Sequence, residues 1–135
     1  MALWLFKQEP DAYSLAQLKA DGTTLWDGVS NPQALQFLRL CAAGDLAFFY
    51  HTGDEKAVVG ILKVTGPAVP DPNETDPKLV ALPVAYHKSL KQPVTLAVIK
   101  ADEAFADWHL VKNSRLSVMP CPDELWDRII KMGKG

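Results

Sequence analysis

The sequence predicts an α+β fold, a mixed and mostly antiparallel sheet curled into a small barrel with short helices flanking its ends. Three observations carry this. At least five β-rich runs are interleaved with three or four short helical segments without strand–helix alternation, which disfavours a doubly wound parallel sheet. Two of the runs, 46–51 and 57–64, are joined by the five residues 52–56 and read as a hairpin. The chain has 135 residues, 48% hydrophobic and 22% charged, which suits a single domain over 1–135 with a real core and excludes a disordered chain.

Taken in order, residues 2–7 form a first strand, apolar on both faces. Ser14-Leu15-Ala16-Gln17 fits a capping box, so a short helix starts there and ends at Asp21-Gly22. Asn31-Pro32 opens a second helix, with Asn as cap and Pro at the first position, where its missing N–H costs nothing. Leu35 and Leu38 give that helix its apolar stripe, and Gly44-Asp45 turns the chain into the hairpin. Residues 66–77 hold four prolines and read as a loop. Strands are expected over 79–87 and 94–100, separated by Lys88 to Pro93. A short helix over 101–107, an extended piece from Arg115 to Val118 and a terminal helix opened by Pro122 complete the chain.

Several function classes are excluded by what this pattern lacks. No apolar run approaches the ~18–20 residues of a membrane span. The apolar opening has no basic segment before it, so it reads as a strand, and a cytoplasmic protein with no membrane partner is expected. His51, His87 and His109 pair neither with one another nor with Cys41 or Cys121 at metal-ligand spacing, so no metal is expected. Two reduced thiols are expected over one long-range disulfide. Glycine-rich phosphate loops, nucleophile elbows and paired-histidine motifs are missing, so neither a cofactor nor catalysis is expected. Residues 1–77 carry five basic against ten acidic side chains, and residues 78–135 nine against six. Any basic face would come mostly from the second half, and the net charge of −2 is not that of a strong duplex binder.

What remains is a set of polar and aromatic residues at the ends of apolar elements. Lys7 and Glu9 end the first strand, Trp26 and Asp27 precede the helix capped by Asn31, and Tyr50 and His51 end the third strand. If the strands curl together, these ends converge on one rim. Trp26 and Tyr50 could then stack on a planar heterocycle, with Asp27, Asn31, Gln33 and His51 bonding its edge. Plainer roles stand beside these: Trp26 as core, Lys7 with Glu9 as a surface ion pair, Asn31 as cap and His51 satisfied within the hairpin. A small-ligand sensor or interaction domain fits the same residues. So does a nucleobase-processing enzyme using Glu9, Asp27 or His51 as proton carriers.

Four segments, in order, resemble the EVE domain, a PUA-like relative of the YTH domain. Trp4-Leu5-Phe6-Lys7-Gln8-Glu9-Pro10 with Tyr13-Ser14 is similar to the family opening. Trp26-Asp27-Gly28-Val29-Ser30-Asn31-Pro32-Gln33-Ala34 is similar to its W-x-G-V-R-N-x-Q-A element. Gly44-Asp45 with Phe48-Phe49-Tyr50-His51-Thr52 resembles its hairpin, and Arg115-Leu116-Ser117-Val118-Met119-Pro120 its late R-L-S-V-x-P element. The resemblance implies a curled barrel with a rim pocket that reads a modified base, such as methylated or hydroxymethylated cytosine, flipped out of DNA or RNA. Trp26 would be a wall, Lys7, Glu9, Asp27 and Asn31 would line floor and mouth, and Tyr50, His51 and Ser117 would lie at the rim. Arg39 and Arg115, with Lys7, would meet phosphates. Ser30, Leu35-Gln36 and Leu79 stand where the family has Arg, an Arg-Asn pair and Trp.

Overall fold

The computed structural model describes residues 1–134. Its strand order explains why the first strand is apolar on both faces. Leu3–Gln8 (β1) lies between Leu46–His51 (β3), to which it is parallel, and the short antiparallel Val118–Pro120 (β7). β3 turns through the expected hairpin into Ala57–Val64 (β4), which pairs with the long Val80–Thr95 (β6). Thr23–Trp26 (β2) closes the order on the far side of β6, and the two-residue Val69–Pro70 (β5) also pairs with β6.

The sheet is strongly curled. Trp26 on β2 and Phe6 on β1 are four strand steps apart, about 19 Å in a flat sheet. Their ring centroids are 5.4 Å apart, and Phe49 on β3 meets Trp26 edge-on at 5.2 Å. These three buried rings fill the barrel interior. Side chains alternate faces along a strand, so Phe48, next to Phe49, points out of the barrel. There it stacks at 3.8 Å on Trp126 of the terminal helix Asp123–Met132 (α5). That helix covers the outer face, which is why Phe48 and Phe49 are both inaccessible to solvent.

The helices start where their caps require. Ser14 Oγ accepts the Gln17 N–H at 3.0 Å and opens Leu15–Asp21 (α1). The reciprocal half of the box is replaced, since the Gln17 amide donates along the helix to Asp21. Asn31 Oδ1 accepts the Ala34 N–H at 3.0 Å and opens Pro32–Leu40 (α2). α1 lies close to the sheet because β4 carries Gly60. A Cβ there would sit 2.5 Å from Leu15 Cδ2 and 2.7 Å from the Lys88 carbonyl. Leu96–Lys100 (α3) and His109–Lys112 (α4) are short, with a 3-10 turn at Glu103–Phe105 between them.

Three expectations are corrected. The strands expected over 79–87 and 94–100 are one strand, β6, and residues 96–100 are the helix α3. Pro93 does not end β6 because it lies in a bulge: Gly60 faces Ser89 and Val58 faces Val94, leaving the residues between them unpaired with β4. The β-rich run 96–100 turns helical because Thr95 Oγ1 caps Val98 and Ile99 is buried, so tertiary packing overrides propensity. No strand is expected directly ahead of the helix capped by Asn31, yet Trp26 ends the edge strand β2. The late extended piece lies at 118–120 rather than 115–118. Cys41 and Cys121 are free and buried, and burial pushes both thiols up. Among the described residues no helix is long and apolar enough to cross a membrane.

Candidate functional site

Parallel pairing of β1 with β3 brings the ends of both strands to the same side of the barrel, with Lys7 opposite Tyr50 and Gln8 opposite His51. The end of β2 and the segment ahead of β7 arrive at the same place. Together they enclose a cavity of about 350 Å³, in the range of small-ligand sites. Lys7, Gln8 and Glu9 contribute from β1, Trp26 to Asn31 from the β2–α2 connection, and Thr52 from the hairpin turn. Ser114, Arg115 and Ser117 close it from the far end of the sequence.

Each wall is held in place by bonds that are not local. Lys7 Nζ donates to the Ser114 carbonyl at 3.1 Å and lies 5.7 Å from the Tyr50 ring centroid. Burial lowers the Lys7 pKa from its ordinary value. Lys7 is thus turned to Ser114 and Tyr50 and not to Glu9, as the plainer ion-pair reading would have it. Glu9 instead accepts from the Thr52 hydroxyl at 3.5 Å. The Trp26–Asn31 connection turns through Gly28, whose φ of +74° suits glycine. It is clamped by the proline-rich loop: Asp71 Oδ2 accepts the Gly28 N–H at 3.4 Å, and Asn73 Nδ2 donates to Asp27 Oδ2 at 3.0 Å. Asn31 uses Oδ1 for its cap, leaving Nδ2 to donate elsewhere.

The cavity thus gathers Lys7, Glu9, Trp26, Asp27, Asn31, Arg115 and Ser117 of the residues singled out from the sequence. Trp26 is only 3% exposed and packs against Phe6 and Phe49, so little of its ring is left to the cavity. Its ring is core, and the residue borders the cavity. Other candidates lie elsewhere. Tyr50 is buried and faces an adjoining hollow that it shares with Lys7. His51 shares a strand face with Phe49 and turns beneath α1, where its Nε2 accepts the Leu15 N–H at 3.1 Å and its Nδ1 meets Glu55 at 2.7 Å. Gln33 is exposed on α2 outside the cavity walls. Arg39 donates to the Lys78 carbonyl beside Leu79, in a hollow that meets the cavity only through Ser30. The position where the family carries Trp is therefore not in this cavity wall.

Sequence reasoning missed Ser114, which anchors Lys7, and Asp71 and Asn73, which fix the Gly28 turn. Asp71 and Asn73 had a local signal. Asp-Pro-Asn favours a turn in which the Asp carboxylate accepts the N–H two residues on, and Asp71 Oδ1 accepts Asn73 N–H at 2.9 Å. Ser114 had none, since its contact with Lys7 spans 107 residues. The finished cavity sets two cations, Lys7 and Arg115, against two carboxylates, Glu9 and Asp27. Such a wall offers both donors and acceptors and suits a neutral, polar, planar group better than an anion.

The chain and its fold have known counterparts. The EVE domain family profile matches residues 2–132. Thymocyte nuclear protein 1 of Gallus gallus is 32% identical over an alignment 163 positions long, gaps included, covering 96% of this chain and 67% of that protein. A solved structure from Agrobacterium tumefaciens superposes with a TM-score of 0.95 at 35% identity, covering 98% of this chain and 93% of its own. The crystal structure of human THYN1 protein in complex with 5-methylcytosine-containing DNA superposes at 0.91 with 28% identity, covering 100% of this chain and 99% of that one.

Proposed function

The chain belongs to the EVE domain family, as its motif order implied, and from that premise we propose that it is a binding module reading a modified base flipped out of a nucleic acid strand. The observation that carries this reading is the cavity at the barrel mouth. Its volume of about 350 Å³, Trp26 at its edge and its paired donors and acceptors support a nucleobase as ligand. Glu9 and Asp27 accept from an exocyclic amine, as carboxylates do from cytosine N4. Lys7, Arg115 and the Asn31 amide donate to ring nitrogens or carbonyls. The 5-methylcytosine-containing DNA in the complex with human THYN1 supports a nucleic acid as partner and cytosine as a base to test.

The energetics are compatible with flipping. Extruding a base costs a few kcal/mol, while base–aromatic stacking contributes about 1–3 kcal/mol and each edge contact adds to it. Because Trp26 shows so little surface, edge hydrogen bonds carry a larger share here than a full aromatic stack would. The role is binding: Glu9 accepts from Thr52 and Asp27 from Asn73, which holds both carboxylates in place as acceptors.

The test is titration of short single- and double-stranded oligonucleotides carrying cytosine, 5-methylcytosine, 5-hydroxymethylcytosine or N6-methyladenine, at low and physiological salt. A preference of at least several-fold for one modification is expected. Equal binding that fades with salt would overturn base reading and turn attention to free small ligands.

A further inference from the structure

Next to the base cavity lies a second hollow of about 240 Å³ that shares Lys7, Thr52 and Ser114 with it. Its floor is apolar, formed by Leu96, Leu110 and Val111, and its rim carries Lys7, Lys56 and Lys100. Among the described residues no carboxylate lines it, in a chain whose acidic residues outnumber the basic ones, 16 to 14. Two acidic residues beside these lysines in sequence are turned to other partners, and Asp54, exposed in the same turn as Lys56, is not part of the lining. Glu55, next to Lys56, meets His51 at 2.7 Å, and Asp102 meets Arg128 at 3.3 Å. The lysines are set by the fold. The Lys56 carbonyl accepts the Leu96 N–H at 2.7 Å, which ties the hairpin turn to the start of α3, and Lys100 ends that helix.

The two hollows therefore differ in charge across a shared wall: one balanced, the other with three cations. We propose that the lysine-rimmed hollow receives a backbone phosphate of the strand whose base occupies the neighbouring cavity, with Lys56 and Lys100 as its outer contacts and Lys7 between the two sites. This rests on the base-reading function and deepens it. The sequence expectation placed phosphate contacts at Arg39 and Arg115, with Lys7. Arg39 is engaged by the Lys78 carbonyl in another hollow, and Arg115 lines the base cavity. The phosphate path is thus moved toward α3.

The test compares the native protein with Lys56→Gln/Lys100→Gln and with Lys56→Arg/Lys100→Arg, both residues being exposed. Affinity for oligonucleotides with and without 5-methylcytosine is measured over a range of salt. Urea unfolding confirms that each variant is folded. The Gln pair is expected to lose about tenfold in affinity for both oligonucleotides at physiological salt, with the salt slope reduced by about 0.7–1.4. The ratio between modified and unmodified strands stays as in the native protein, and the Arg pair retains affinity. An unchanged slope and affinity in the folded Gln pair overturns the phosphate site, and if the native preference for modified base persists, base reading survives that failure. A native protein without modification preference, whose salt slope still falls in the Gln pair, keeps the phosphate site and loses base reading. No oligonucleotide binding by the native protein overturns both. Competition by 5-methyldeoxycytidine monophosphate separates the sources: lysine-dependent competition as strong as that of the oligonucleotide supports the site and assigns it a free nucleotide's phosphate.

Discussion

His51 Nε2 accepts the backbone N–H of Leu15 across 36 residues of sequence, at 3.1 Å. With Nε2 as acceptor, Nδ1 carries the proton and donates to Glu55 at 2.7 Å. The first N–H groups of a helix have no partner within it, so this bond satisfies one at the start of α1 that would otherwise be buried and unpaired. The side chain that ends β3 thereby fixes the helix that packs on Gly60.

His51→Ala is therefore expected to destabilise the fold rather than the site. Leaving the buried Leu15 N–H unpaired costs about 1–3 kcal/mol. Urea unfolding should show that loss, while the preference for modified over unmodified oligonucleotide stays at the native ratio. A lost preference in a folded variant would place His51 in base recognition.

Trp26 answers differently because it serves both core and cavity. Trp26→Ala would remove a ring packed on Phe6 and Phe49, costing about 3–5 kcal/mol. Trp26→Phe retains part of that volume and is the better probe. Its expected result is a modest fall in unfolding free energy with a several-fold weaker preference for the modified base. A preference equal to the native one would remove Trp26 from the cavity edge.

Asp45 links stability to pH. Its buried carboxylate accepts from the Ala2 and Ala42 N–H groups, each at 2.9 Å, and from Trp4 Nε1 at 3.0 Å. Burial acts to raise its pKa, but these donors and the nearby N-terminal charge outweigh it, so the carboxyl titrates below its ordinary value. A lowered folded value means that the unfolded chain takes up the proton first as pH falls. The stabilisation is complete above about pH 4 and is lost as pH drops through the folded value. Asp45→Asn should cost about 2–3 kcal/mol at pH 7. The gap between variant and native protein should narrow below pH 4 in denaturation curves run at both pH values. A gap constant with pH would contradict the assignment.

Ser30 lies in the cavity wall where the family carries Arg, and it is exposed. Ser30→Arg adds a cation at the mouth without disturbing the core. Oligonucleotide affinity should rise a few-fold at physiological salt, with the salt slope steeper by about 0.7–0.9. Unchanged salt dependence would show that this side of the mouth does not face the strand.

Much of the architecture is written locally. Ser14 and Asn31 mark both helix starts because a short side-chain oxygen must accept an orphan N–H within three residues. The hairpin is legible because both strands and their turn are contiguous. Lys7, Glu9, Trp26, Asp27 and Asn31 stand out as polar or aromatic ends of apolar elements, and the ordered motifs name the family.

Tertiary structure decided the rest, because the deciding interactions join residues far apart in sequence. The helical state of 96–100 depends on Thr95 as cap and on Ile99 reaching the core, and the continuity of β6 depends on a bulge opposite β4. Tyr50 and His51 are neighbours in sequence, yet one faces the lysine-rimmed hollow and the other the underside of α1. Lys7 is held by Ser114, 107 residues away, and the Gly28 turn by Asp71, 43 residues away. Sequence determined which side chains could meet a base. The curl of the sheet decided which of them share a cavity, since only that curl brings β1, β2 and the segment before β7 to one mouth.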